Sequence, residues 1–468
     1  PTMSRYKERR NARRNKTRAI PAKKPWPLPR NTVAIIGFLA LVTLTIWGTS
    51  YVIARWSLPA ELTKLMTEAP DSVTMSPALA LAVTQAQELL RLEIQSSQGN
   101  AKVGQAVGRL AQLYQANDYN DFAATAYELA IQLDEIEPRW PYLLASLRQE
   151  RGESQSVTGL LTTTVGLAPD YAPAWLKLAD NQFKQGDRSA SRTSYEQLLT
   201  LAPNYSYGHL GLARLALAEN NWERAQWHLE QSVLHGGFDA AYRLLASVHE
   251  HFNRPQAMEA ALAGADTASR FAPAPDQWVD ELLLQSFDID WLLMNVSRFA
   301  YVGSGEMARA IFTRAQQLDP DNPEVYIVLG ESSESPADIQ RAFRTAISLD
   351  PEHARAHALL GEAVLRHGNP AEAEPILRKA LDLGTDPATT YKNLGLAVAR
   401  TGRFDEAIVH LRRAVTLSPE IVAFHYSLAT ILRAAGLTNE AVLEYRHVLE
   451  RQPSHGQAAK DLQDLTGQ

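Results

Sequence analysis

The chain is 468 residues long, with 45% hydrophobic and 21% charged residues, enough for several domains or one extended repeat array. It has no cysteine, which excludes disulfides, cysteine-ligated zinc, haem attachment through C-x-x-C-H and thiol catalysis. The net charge of −6 is uneven: residues 1–30 hold eleven Lys or Arg and one acid, Glu8, making that tail +10 and the rest of the chain −16.

The basic tail, residues 1–31, leads into Thr32–Ala54, a run of 23 residues without a charge. As a helix it is about 34 Å long, enough for a hydrocarbon core of about 30 Å. Trp26 precedes it, and Trp47, Tyr51 and Trp56 cluster at its far end, as interfacial aromatics do. The run is too long, and the basic region too extended, for a cleaved signal peptide. Only Arg55 and Lys64 are basic in the 36 residues after the run. The positive-inside rule then predicts a single-pass inner-membrane helix with the tail in the cytoplasm and all that follows in the periplasm. The tail reads as a topology signal rather than a nucleic-acid arm. Residues 55–103, with Pro59, Pro70 and Pro77 and an amphipathic stretch over Leu79–Leu92, read as a stalk and a leading helix.

Self-similarity dominates from residue 104. From Ala388 to Ile421, Tyr391, Leu394, Gly395, Gly402, Ala407, Leu411, Ala414 and Pro419 fall at positions 4, 7, 8, 15, 20, 24, 27 and 32 of a 34-residue frame. Leu428, Ala429, Gly436, Ala441, Tyr445 and Pro453 follow in the same frame. Leu360, Gly361, Gly368, Ala373, Leu377 and Ala380 precede it, and Trp175, Leu178, Ala179, Gly186, Tyr195 and Pro203 match far upstream. Small residues at 8, 20 and 27 let two helices approach, large ones fill the gaps, glycine makes the turn and proline ends the second helix.

This pattern resembles the tetratricopeptide repeat. Ten repeats are predicted, starting near Gly104, Pro138, Ala172, Ser206, Asp239, Ile289, Pro323, Ala354, Ala388 and Val422. They divide into 104–272 and 289–455, with 456–468 as a capping helix. The expected fold is therefore an all-α solenoid behind a transmembrane helix; the resemblance implies a right-handed superhelix whose concave face binds peptides or partner domains. Residues 273–288 break the rhythm. Trp278, Leu282, Leu283 and Phe287 are expected on one helical face continuing to Trp291. That face reads as a helical joint between half-arrays, or as an exposed apolar docking surface at Trp278, Leu282 and Phe287.

Catalytic motifs are missing: there is no G-x-x-x-x-G-K-[ST], G-x-S-x-G or H-E-x-x-H. Gly303-Ser304-Gly305 with Ala308 imitates a dinucleotide pattern, but no strand precedes it and Ala308 is a repeat alanine. His353 and His357 are spaced i, i+4, with no third ligand in sight. No enzyme, cofactor or metal site is expected.

The resemblance places binding residues at first-helix positions 2, 5, 6, 9, 12 and 13. In repeats eight to ten these include Arg355, Glu362, Arg366, Lys392, Asn393, Arg400, Tyr426 and Arg433, a set that would clasp an acidic segment or a terminal carboxylate. The carboxylate clamp of chaperone-binding members is not reproduced: Asn393 fits it, but Ala358, Glu362, Ala423 and Ser427 do not. The expected function is a membrane-anchored scaffold that binds proteins in assembling or maintaining an envelope complex. A chaperone for cytochrome c maturation and a polysaccharide-secretion component stand as alternatives.

Overall fold

A computed structural model of the chain describes residues 60–67, 70, 75–96, 99–268, 273–301 and 304–467. The basic tail and the expected span 32–54 lie outside them, and no helix among the described residues is long and apolar enough to cross a membrane. Helices are the dominant regular element throughout. The chain divides into two compact units, one ending at Phe287 and the other running Asp288–Gln468.

In the first unit, Ala60–Thr67 and Pro77–Gln95 precede five helix pairs: Asn100–Ala116 with Asn120–Leu133, Arg139–Glu150 with Ser154–Leu167, Ala172–Lys184 with Arg188–Leu201, Ser206–Ala218 with Trp222–His235, and Asp239–His251 with Pro255–Thr267. In the second, Ile289–Tyr301 pairs with Gly305–Leu318, Pro323–Glu331 with Pro336–Leu349, Ala354–Arg366 with Pro370–Asp382, Pro387–Arg400 with Phe404–Leu417, and Val422–Ala434 with Thr438–Arg451. Gly456–Thr466 closes the series.

The repeat frame explains the pairing. Gly395 has no room for a side chain: a Cβ there would lie 2.7 Å from the Leu411 side chain, which is fully buried in the facing helix. Burying such a leucine contributes about 1.5–3 kcal/mol, and the glycine permits the approach. Position 15 takes the left-handed region with more than one residue type. Gly402 has φ 86°, and Asp118, Asn220 and Asn253 take the same role at 66°, 56° and 54°. Asparagine and aspartate tolerate that region better than other side chains.

In five repeats position 4 supplies a donor to the carbonyl six residues back. Trp175 Nε1 donates to Pro169 O at 2.8 Å, and His209, His357 and His425 Nε2 meet Pro203, Pro351 and Pro419 O at 2.9, 3.0 and 3.0 Å. Tyr326 does the same through its hydroxyl to Pro320 at 3.2 Å. The residue type varies, but each has an N–H or O–H at the end of an aromatic ring, which satisfies a carbonyl left over at the helix end.

Candidate functional site

The residues singled out in the second unit lie on the first helices of their repeats. They separate into three groups. Arg355 donates to Glu324 at 3.1 Å and to Glu331 at 2.5 Å. Arg433 donates to Asp461 at 2.9 Å, and Tyr426 donates to the other oxygen of the same carboxylate at 3.1 Å. Asp461 belongs to the closing helix and is buried. Both ends of this set are therefore matched by the chain's own carboxylates.

The middle group is different. Glu362 accepts from Arg366 at 2.5 Å and from Asn393 at 3.4 Å, and Asn393 is buried. Arg400 reaches back to Leu365 O at 2.6 Å, at the carbonyl end of helix Ala354–Arg366, where a cation is favoured. Lys392 sits beside them, half-buried, with neither a hydrogen bond nor an ion pair among the described residues. Burial lowers its ammonium below the usual lysine range; Glu362 opposes that shift and Arg366 adds to it. This group counts three cations, Arg366, Lys392 and Arg400, against the one carboxylate of Glu362, so its net charge is positive.

The inner face of the first unit is already covered. Residues 277–280 form one helical turn, 281–285 a 3-10 turn, and Ser286 is extended at ψ 146°. The expected continuous helix from Trp278 to Trp291 is thus interrupted. Trp278, Leu282 and Phe287 are not an exposed docking patch either, because they pack against the core of the first unit, where Leu282 is 7% exposed. The unit boundary follows Phe287, so this strap belongs to the first unit.

Specific groups on the repeats hold the strap. Asp276 is buried and accepts from Tyr142 at 2.5 Å and Tyr171 at 2.8 Å. Lys177 Nζ lies 3.1 Å from the same carboxylate, 2.8 Å from Ser146 Oγ and 4.9 Å from the centroid of the Tyr142 ring. Burial first, and then the Asp276 charge, pushes both tyrosine hydroxyls far above the usual range, so each stays protonated and donates. The Trp278 indole stacks on Tyr171 at 3.7 Å and meets Tyr142 edge-on at 5.3 Å. At the far end, Asn117 donates to Gln285 O at 3.0 Å and accepts from Phe287 N at 2.8 Å. A cleft of about 300 Å³ remains beside Gln285, lined by Gln105, Arg109, Gln112, Arg139 and Trp140.

The groups that hold the strap occupy the inner-face positions of earlier repeats than the last three. The same rule applied to repeats two and three gives Tyr142 at position 5, Ser146 at 9 and Lys177 at 6.

The histidines have local duties. His353 caps its helix at Ala356 N and meets Glu324 at 3.1 Å, while His357 bonds Pro351, so the pair does not face a common point. His209 and His228 lie Nδ1 to Nδ1 at 3.1 Å, both buried. Pro203 O only accepts, so His209 carries its proton on Nε2, and His228 donates to His209 in the neutral pair. Among the described residues no group of three His, Asp or Glu is placed to hold a metal ion.

The family model described as tetratricopeptide repeat matches residues 176–230, 336–387 and 392–459. No curated protein matches the chain in sequence. Solved structures similar to it include PilW, a widely conserved type IV pilus biogenesis factor, at 22% identity, covering 38% of this chain and 86% of that one with a TM-score of 0.36. YrrB, a repeat protein with an unusual peptide-binding site, is similar at 20% identity over 37% of this chain and 92% of its own, with a TM-score of 0.33. Yeast Tom70 is similar at 16% identity over 78% and 96%, with a TM-score of 0.36. The chain carries tetratricopeptide repeats, an all-helical architecture that serves protein–protein interaction.

Proposed function

We propose that the chain is a scaffold holding a protein partner at a membrane surface, with the first-helix face of the second unit as the docking site. The observation that carries this reading is Lys392, a half-buried cation that makes no ion pair among the described residues and shares the one nearby carboxylate, Glu362, with Arg366, beside buried Asn393. A charge held this way is costly in the free protein and is relieved when a carboxylate arrives. Lys392 supplies a point charge, Arg366 and Arg400 supply forked donors, and the Asn393 amide is suited to a peptide backbone. The chemistry fits an acidic, extended segment of a partner protein.

The uncharged run Thr32–Ala54 and the basic tail before it support an inner-membrane anchor with the repeats in the periplasm. The partner is then a membrane or envelope complex that the scaffold helps to assemble or maintain. Two experiments test this. The chain has no cysteine, so single cysteines at Ser4 and Ser454 report topology by labelling with an impermeant maleimide. Labelling of Ser454→Cys alone in intact spheroplasts is expected; labelling of both or of Ser4→Cys alone refutes the orientation. Affinity capture from crosslinked native membranes is expected to lose its main partner with Lys392→Glu and keep it with Arg412→Glu. Equal recovery from both variants refutes the docking site.

A further inference from the structure

We propose that the inner face of the first unit is a second peptide-binding groove, selective for an Asp-x-Trp segment followed by leucines. Residues 273–287 hold it in cis, and a partner segment of the same chemistry binds there in trans by replacing them.

The strap is bound as a ligand is bound. Its acid, Asp276, enters a cage of two hydroxyls and one ammonium, and its indole stacks on an aromatic ring, the kind of anchor that dominates peptide recognition. Its backbone is read by side chains of the repeats. Tyr171 Oη accepts from Trp278 N at 3.0 Å, and one amide, Asn117, satisfies both a carbonyl and an N–H of the extended end. Asn117 thus recognises peptide backbone whatever side chains it carries, while Asp276 and Trp278 supply selectivity.

The strap's own order is slight. A four-residue turn and a 3-10 turn are too short to persist in water by themselves, so the strap depends on the groove for its order. A tethered ligand competes at an effective concentration on the order of millimolar, which closes the groove to weak ligands and leaves it open to a partner that matches or exceeds the cis contacts. This groove is separate from the Lys392 face and does not depend on it.

The test uses the full chain and a fluorescent synthetic peptide of residues 273–287. Trp278→Ala weakens the cis ligand and leaves Tyr142, Tyr171, Lys177 and Asn117 in place. That variant is expected to bind the peptide at least about tenfold tighter than the unaltered chain. Adding Tyr171→Ala should abolish the binding, as should alanine in place of tryptophan in the peptide. A Trp278→Ala chain that keeps full helicity and does not bind the peptide overturns the proposal. If Trp278→Ala does not fold, hydrogen exchange in the unaltered chain decides. Exchange at the Trp278 and Phe287 amides well ahead of helices Arg139–Glu150 and Ala172–Lys184 supports an exchangeable ligand. Exchange in step with those helices makes the strap a fixed part of the core and overturns the proposal.

Discussion

The two units are built from the same repeat and treat the same face in opposite ways. In the first, the inner positions contact a strap of the chain's own residues, with a carboxylate and an indole seated on Tyr142, Tyr171 and Lys177. In the second, that face carries no strap contact among the described residues. Its outer members, Arg355 and Arg433, are matched by carboxylates, and Lys392 in the middle makes no ion pair among the described residues and shares Glu362 with Arg366. Repeat identity therefore fixes where a binding face lies, while its availability depends on what the rest of the chain places there.

The largest expected effect separates the units by stability. Leu282→Ala opens a cavity beneath the strap and should cost the first unit about 2–4 kcal/mol. Denaturation followed by tryptophan fluorescence checks this, since five of the six described tryptophans lie before residue 288. The matching change in the second unit is Gly395→Val, which forces atoms into Leu411 and should cost about 1–3 kcal/mol. It should appear in far-UV circular dichroism before the tryptophan signal moves.

Asp276→Asn keeps the strap's shape and removes the charge that Lys177 faces. A loss of about 1–2 kcal/mol in the first unit is expected, with no change in partner capture through Lys392. Acid gives a further contrast. Burial, then His209 and Arg224, lowers His228 to about 4, whereas an unfolded histidine titrates near 6.5. Above pH 6.5 both states are neutral and stability does not depend on this group. As pH falls from 6.5 toward 4, the unfolded chain takes up a proton that the folded pair refuses, so stability is lost across that window. The tryptophan-detected denaturation midpoint should fall between pH 7 and pH 4.5, and fall less in His228→Gln. The smallest effect is Arg412→Ala, which breaks an exposed pair with Glu440 and should change stability by about 0.5 kcal/mol or less.

The repeat was legible in the sequence because its determinants are local and recur. Helices begin at Ala172, Ser206, Asp239, Ile289, Pro323, Ala354 and Val422, where the 34-residue frame begins its repeats. Glycine at position 8 and a left-handed residue at 15 need only their own helix pair. The strap was not legible, because its partners are remote: Asn117 and Gln285 are 168 residues apart. The apolar character of Trp278, Leu282 and Phe287 was visible, but not that the first unit covers them. Ion pairs between repeats were hidden for a related reason. Arg355 and Glu331 are 24 residues apart, and Arg433 and Asp461 are 28 apart, distances that no single-repeat pattern describes.

The most direct test of the central claim, that a partner docks on the first-helix face of the second unit, is site-specific photocrosslinking in native membranes. A benzophenone amino acid at position 392 samples that face, and one at 412 samples the second-helix surface of the same repeat. An intermolecular adduct to a membrane-complex subunit is expected from 392 and none from 412. An adduct from 412 with none from 392 would contradict the claim.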